Sequence, residues 1–350
     1  MATLSRLRKK LQNVTLVNLV KRIPSKRTRD FLLPRLYYYF NTLPDLLILD
    51  ITSKCNAACP FCPRTILEVR GTNMPDEIFY KAVDQACDLG IRKCRIYSTG
   101  EPLLHPHFDQ FVKYLKDKNF YVMVSTNGQF ADKHLESLSQ VDWVKFSIEG
   151  WDKESYEFYR KNCDFPKVQN NLAEFKKYIS GRKNRPVTVI ALMVMRETKM
   201  DEFFKVWADK VDKILIYPTS NVFDWGGDDK IEFLNYDFSK RLKENMYSYV
   251  KTEGTKYCGY HFECVLISAQ GNGVICCSDF TDSILYGNLR NVSLLDIINS
   301  PKRKAGQRQY VSQKFDVCDG CTEFDKLDDR SVTEYHTKVE TYKARSNGGM

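Results

Sequence analysis

The chain has no run of about 18 uncharged apolar residues, the length a membrane-crossing helix needs. Its N-terminus has neither the apolar core nor the small-residue cleavage site of a signal peptide. Both absences point to a cytoplasmic protein. Acidic side chains are almost missing from residues 1–36, where Asp30 stands alone against ten Lys and Arg. The formal charge of +9 therefore sits mostly in that segment, and the rest of the chain is close to neutral. No zinc-finger or helix-turn-helix signature accompanies the basic segment, so a nucleic-acid partner is not indicated. Without an export signal the twelve cysteines are not a disulfide framework, because the cytosol keeps thiols reduced. Metal ligation or chemistry has to account for most of them.

What is present fits one large core domain with an appendage, since the chain has 350 residues, 43% of them apolar. Residues 1–45 form a basic arm in which Leu7, Leu11, Val14, Val17 and Val20 recur at helical spacing, followed by an apolar cluster at 31–40. Its apolar face packs on the protein's own core, or else lies on an anionic membrane as a peripheral contact. Residues 46–218 alternate short apolar runs with amphipathic stretches, the pattern of βα units. Strands are expected at 47–52, 94–98, 121–125, 143–148, 187–193 and 213–217. A helix is expected at 76–89, with Pro75 at its start and Gly90 at its end. Six units are too few to close an eight-stranded barrel. The expected fold is α/β, a partial (β/α)6 TIM-like barrel, followed by a small cysteine-rich β-hairpin plus helix domain. Residues 219–257 read as a linker with a turn-rich stretch at 221–227 and a helix at 236–251. The cysteine domain spans 258–325, with a hairpin turning at Gly271-Asn272-Gly273 and Ser293 as the N-cap of a helix at 294–298. A polar tail occupies 326–350.

Cys87, Cys94 and Cys163 are scattered and read as plain buried residues. In contrast, Cys55, Cys59 and Cys62 follow the first strand in a C-x3-C-x2-C run. Three closely spaced thiolates can hold three irons of a 4Fe-4S cube and leave the fourth open to a small molecule, whereas fully ligated clusters use four cysteines. A zinc site would prefer four ligands in paired C-x2-C units. With Phe61 in the aromatic position, the run resembles the motif of the radical S-adenosylmethionine (SAM) superfamily. The resemblance implies that the open iron binds SAM and that the reduced cluster cleaves it to methionine and a 5′-deoxyadenosyl radical. Ser98-Thr99-Gly100-Glu101-Pro102, after the second strand, is similar to the family's glycine-glutamate element, although Thr99 stands where a second glycine is common. Gly100 and Glu101 would then meet the SAM amino group. Ser125 and Asn127 after the third strand, Ser147 after the fourth, and Arg160 for the carboxylate complete the SAM contacts that the resemblance implies. Each of these is equally readable as a cap or turn residue.

The tail carries Cys258, Cys264, Cys276 and Cys277, then Cys318-Asp319-Gly320-Cys321. It resembles the first half of a SPASM domain and the shorter twitch domain. The resemblance implies an auxiliary 4Fe-4S cluster on Cys258, Cys276, Cys318 and Cys321, with Cys277 able to replace Cys276. No cysteine follows Cys321, so one auxiliary cluster is expected rather than two, and a structural zinc is the competing account. The cofactors expected are thus two 4Fe-4S clusters and SAM, with a flavodoxin or ferredoxin as reductant. The family resemblance is specific for reaction type and not for substrate. An oxidoreductase acting on a small, carbohydrate-like molecule is the favoured reading, because the 45-residue arm is too short for a peptide-recognition domain. A peptide epimerase or crosslinker is the alternative. An iron-sulfur electron carrier without SAM chemistry is the non-enzyme rival.

Overall fold

The computed structural model describes residues 16–62, 64, 69, 71–193, 198–217, 249–250, 258–277, 279–280, 282, 284–311 and 326–327. Its strands are β1 (Leu46–Leu49), β2 (Lys93–Ile96), β3 (Tyr121–Thr126), β4 (Trp143–Ser147), β5 (Val187–Met193) and β6 (Lys213–Tyr217). Five more follow: β7 (Tyr249–Val250), β8 (Cys264–Ile267), β9 (Asn272–Val274), β10 (Leu285–Asn288) and β11 (Lys326–Leu327). β1 to β6 pair in parallel and in sequence order. The sheet does not close. Its order is β10-β9-β8-β1-β2-β3-β4-β5-β6, so the open barrel expected from the sequence is present and is extended by three strands of the cysteine-rich region.

β1 explains that extension. All four of its residues are buried, as in a strand covered on both faces, and an apolar strand left at an edge would invite mispairing. β8, equally buried, pairs with it in parallel from Leu46↔Cys264 to Leu49↔Ile267. Alternate residues then divide between two cores. Leu47, Leu49, Cys94, Ile96, Val122 and Val124 face the helical layer, and Leu46, Ile48, Cys264 and Leu266 face inward with Tyr97 and Met123 against them. The helical layer includes α3 (Asp76–Asp88), α4 (Phe108–Asp117), α5 (Leu135–Gln140), α6 (Lys153–Tyr159), α7 (Phe165–Ile179) and α8 (Met200–Trp207). Phe79 of α3 stacks on Phe111 of α4 at 3.7 Å. Burying each such ring contributes about 1.5–3 kcal/mol.

The expected helix at 76–89 is α3, preceded by Pro75, with Asp76 and Glu77 complementing the dipole of its first turn. Gly90 follows it at a φ of 77°, a left-handed conformation that suits glycine at a helix end. Ser293 caps Leu294–Ile298 in a reciprocal pair with Asp296. Three expectations shift. The hairpin turns over residues 268–271, with Gly271 at a φ of 84°, while Asn272 and Gly273 already belong to β9. The helix expected at 236–251 cannot run to its end, because Tyr249–Val250 pairs as a strand with Lys326–Leu327. Cys87 is half-buried rather than core, unlike Cys94 and Cys163. The rest of the 219–257 linker, most of the 326–350 tail, Cys318 and Cys321 lie outside the described residues.

The basic arm is docked as far as it is described. Residues 16–21 form α1, and Lys26–Tyr39 forms α2, capped by Ser25. Val17, Val20, Leu33 and Tyr37 pack with Phe262 of the cysteine-rich region.

Candidate active site

The loop after β1 is pinned before it reaches its cysteines. Thr52 Oγ1 donates to Asn73 Oδ1 at 2.8 Å, and Ser53 N donates to the Thr72 carbonyl at 2.9 Å. Ala58 N donates to the Lys161 carbonyl, and Glu101 N to that of Lys54. This ties the cysteine loop both to the loop after α6 (Lys153–Tyr159) and to the one after β2. Gly100 is required there. A Cβ at that position would sit 2.1 Å from the Thr52 carbonyl oxygen and 2.5 Å from that of Lys54.

Cys55, Cys59 and Cys62 line one cavity of about 150 Å³ at the C-terminal ends of the parallel strands, together with Phe61, Gly100, Glu101, Ser125, Asn127, Ser147 and Arg160. The structure thus brings every front-half candidate residue to one place. Phe280 of the cysteine-rich region reaches the same cavity. Burial pushes all three thiols up, that of Cys62 to about 11. Iron ligation needs thiolates, so loading this site releases protons. The donor set fits a cluster: three thiols around a shared space, with no fourth cysteine among the residues lining it.

The carboxylate of Glu101 is not free for a ligand in this arrangement. It is buried and accepts from Thr126 Oγ1 at 2.6 Å, from Asn127 N at 2.7 Å and from Leu103 N at 3.2 Å. Burial raises its pKa, and the Asn127 and Thr126 donors oppose that rise. Asn127 in turn donates to Asn56 Oδ1 at 2.8 Å, and Asn56 approaches the Cys163 thiol at 3.6 Å. Cys163 is therefore part of the floor of the cysteine loop rather than a remote core residue. Arg160 grips Glu149 through Nε to Oε2 and through Nη2 to Oε1 at 2.8 Å. Its Nη1 lies 3.6 Å from Cys59 Sγ, and its guanidinium lies 5.4 Å from the centre of the Phe61 ring. Burial opposes the charge on Arg160, and the Glu149 carboxylate more than restores it. A carboxylate-binding role must share this arginine with Glu149.

Sequence reasoning missed three groups. Asp50, just beyond β1, is fully buried and accepts from Thr99 Oγ1 at 2.6 Å and from Thr99 N at 3.3 Å, which explains why threonine rather than glycine precedes Gly100. Burial pushes its carboxyl up to about 7. Its inward place at a strand end could have been read from the alternation of β1. Glu149 stands two residues after Ser147 at the same strand end, but nothing local marked it as the partner of Arg160. Tyr97, which lines the cavity, meets Tyr260 hydroxyl to hydroxyl at 2.6 Å, and Cys277 Sγ lies 3.1 Å from Tyr260 Oη. Cys277 is thereby turned toward the barrel interior, beside Cys264, whose thiol burial pushes to about 12.

An open parallel barrel gathers three thiols, a glycine-glutamate loop and polar strand ends around one cavity, an arrangement suited to a three-cysteine iron-sulfur cluster with a small molecule beside it. Comparison with known families agrees: residues 49–206 match the radical SAM superfamily and residues 258–322 an iron-sulfur cluster-binding domain, SPASM. The chain thus carries a radical SAM domain followed by a C-terminal SPASM-type domain, and these domains imply a SAM-binding 4Fe-4S cluster, SAM and auxiliary iron-sulfur binding. A putative glycyl-radical enzyme activating enzyme of Methanocaldococcus jannaschii is 28% identical over 165 residues, 47% of this chain and 62% of that one. A tungsten-containing aldehyde ferredoxin oxidoreductase cofactor-modifying protein of Pyrococcus furiosus is 35% identical over 107 residues, 29% of this chain and 30% of that one. The chain spans less than two thirds of either relative. Among solved structures, Streptococcus suis SuiB bound to precursor peptide SuiA matches with a TM-score of 0.61 at 14% identity, covering 87% of this chain and 79% of that one. BtrN in complex with AdoMet and 2-DOIA matches with a TM-score of 0.51 at 15% identity, covering 81% and 94%. At such identities the structures establish the shared fold alone.

Proposed function

We propose that the protein cleaves SAM and uses the 5′-deoxyadenosyl radical to oxidise a small, carbohydrate-like substrate. The observation that carries this reading is the cavity where Cys55, Cys59 and Cys62 meet Gly100, Ser125, Asn127, Ser147 and Arg160, with Phe280 of the SPASM-type region on its border. An electron carrier needs no such pocket. When bound, the SAM cluster supplies the electron that cleaves SAM. In this reading the three cysteines hold that cluster, the Gly100 backbone and the serine and asparagine side chains orient SAM, and Phe280 helps to exclude water. Abstraction removes one hydrogen atom from the substrate. Loss of a proton and of one further electron would complete a two-electron oxidation, and Cys258, Cys276, Cys318 and Cys321 would hold an auxiliary cluster able to accept that electron. A flavodoxin or ferredoxin would supply the starting electron in the cytoplasm.

A second reading, inversion at carbon, is favoured by the Tyr97, Tyr260 and Cys277 chain, because it links the cavity to a thiol that could return a hydrogen atom. Peptides stay within scope for either reaction, as SuiB was solved with one. The test is anaerobic incubation of the reconstituted protein with reductant and SAM. 5′-Deoxyadenosine should form, and iron should approach about eight per chain for two four-iron clusters. Four irons with one zinc would remove the auxiliary cluster from the proposal, and absence of 5′-deoxyadenosine would remove the reaction.

A further inference from the structure

The arm uses one face of its helices to dock and leaves the other unusually apolar. Among the described residues nine large apolar side chains are exposed, and five of them, Leu16, Leu19, Phe31, Tyr39 and Phe40, fall within 25 consecutive positions. Leu16 and Leu19 share a face of α1, three residues apart. Phe31, Arg35 and Tyr39 lie at successive i, i+4 positions of α2, a stripe in which the Arg35 guanidinium lies 3.6 Å from the centre of the Phe31 ring. These are not core residues left uncovered by chance of packing, because the opposite face, with Val17, Val20, Leu33 and Tyr37, is already buried on Phe262. The helix pair is anchored to the enzyme and presents aromatic, aliphatic and cationic groups outward.

We propose that this surface binds an anionic lipid bilayer and holds the enzyme at a membrane face. Charge decides the sign of the partner: residues 16–40 carry six Lys and Arg against one acid, Asp30, and with Lys21 paired to Glu263 at 3.0 Å the remaining excess still attracts an anionic surface and repels a second copy of the same segment. Chemistry then separates lipid from nucleic acid. Arginine and aromatic rings suit both, but the exposed Leu16 and Leu19 have no π-face for a base and gain by leaving water for acyl chains. Aromatic rings at headgroup depth with arginine beside lipid phosphates are the expected interfacial arrangement. The contact is peripheral, since no described helix is long and apolar enough to cross a membrane. Attachment through this face requires no part of the proposed reaction.

Flotation of the full-length, cluster-reconstituted protein with phosphatidylcholine vesicles, and with vesicles also containing phosphatidylglycerol, tests it. Binding should require the anionic lipid and weaken as salt rises. Arg35→Gln should lower affinity about fivefold, and the double variant Leu19→Gln/Phe31→Gln should lower it further while melting temperature and 5′-deoxyadenosine formation stay as in the parent. Equal binding to neutral and anionic vesicles, or none to either, overturns the proposal. So does tight binding to an RNA oligonucleotide that persists in Leu19→Gln/Phe31→Gln. Unchanged vesicle binding by a variant that makes no 5′-deoxyadenosine, such as Cys59→Ala, would show that the two readings stand or fall separately.

Discussion

β1 has a neighbour on each side, and the two neighbours hold their functional residues by different means. On the β2 side the fixings are polar and buried: Glu101 takes three donors, Asp50 takes two from Thr99, and Arg160 is clasped by Glu149. On the β8 side the contact is mostly apolar, Leu46 and Ile48 against Cys264, Leu266 and Val274, with one hydroxyl and thiol chain across it. A buried charge is tolerated only while its donors remain, so the first side depends on individual atoms. The second depends on shape and area, and should survive loss of a single polar group.

The largest effect expected on the β2 side is from Cys55→Ala, Cys59→Ala or Cys62→Ala, each of which should abolish 5′-deoxyadenosine formation, since losing one of three thiolates removes the cluster. Substantial product from any of the three would contradict the assignment of the cavity. Glu101→Gln comes next. Its amide can accept at one atom only, where the carboxylate accepts at two, and one or more of the Thr126, Asn127 and Leu103 donors is left unpaired. A loss of about 1–3 kcal/mol in stability and weaker SAM binding should appear in denaturant titration and calorimetry.

Asp50 gives the comparison a pH axis. Its carboxyl is raised from 3.8 to about 7, with burial the main cause. Within that window the folded protein holds the proton and the unfolded chain does not, so the Asp50 contribution makes stability fall as pH rises toward 7. Asp50→Asn should flatten this fall, read as melting temperature against pH. Parallel profiles for parent and variant would mean that the carboxylate is better solvated than its burial implies.

The smallest effect belongs to the β8 side. Tyr260→Phe removes the hydroxyl between Tyr97 and Cys277 and should cost about 1 kcal/mol, with SAM cleavage intact. The same side decides the fate of the substrate radical. Oxidation gives a product lighter by two hydrogens, and Cys277→Ser should not change that mass. Inversion in deuterated water would instead give an unchanged skeleton carrying one deuterium, lost in Cys277→Ser.

Much of the front half was legible because its information is local. Expected strands at 187–193 and 213–217 coincide with β5 and β6, and the others differ by a few residues at their ends. The C-x3-C-x2-C spacing, Gly100 and the polar residues at strand ends can be read in order along the chain, since a parallel barrel brings successive strand ends to one face. The hairpin was legible as a hairpin but its register was not, because Gly271, Asn272 and Gly273 all suit a turn and only pairing with β8 and β10 selects the first as the left-handed residue.

The sequence by itself determined the two kinds of domain, the βα alternation of the first and the residues gathered at its strand ends, because these follow from side-chain type, periodicity and spacing within short windows. Only the tertiary structure decided that β8 continues the barrel sheet beside β1, that Glu149 occupies the arginine proposed for SAM, and that Tyr97 meets Tyr260 across 163 positions of chain. Such contacts join residues whose own surroundings in the sequence carry no trace of each other. They are selected when buried charges and strand edges find partners, and that selection takes place over the whole fold at once.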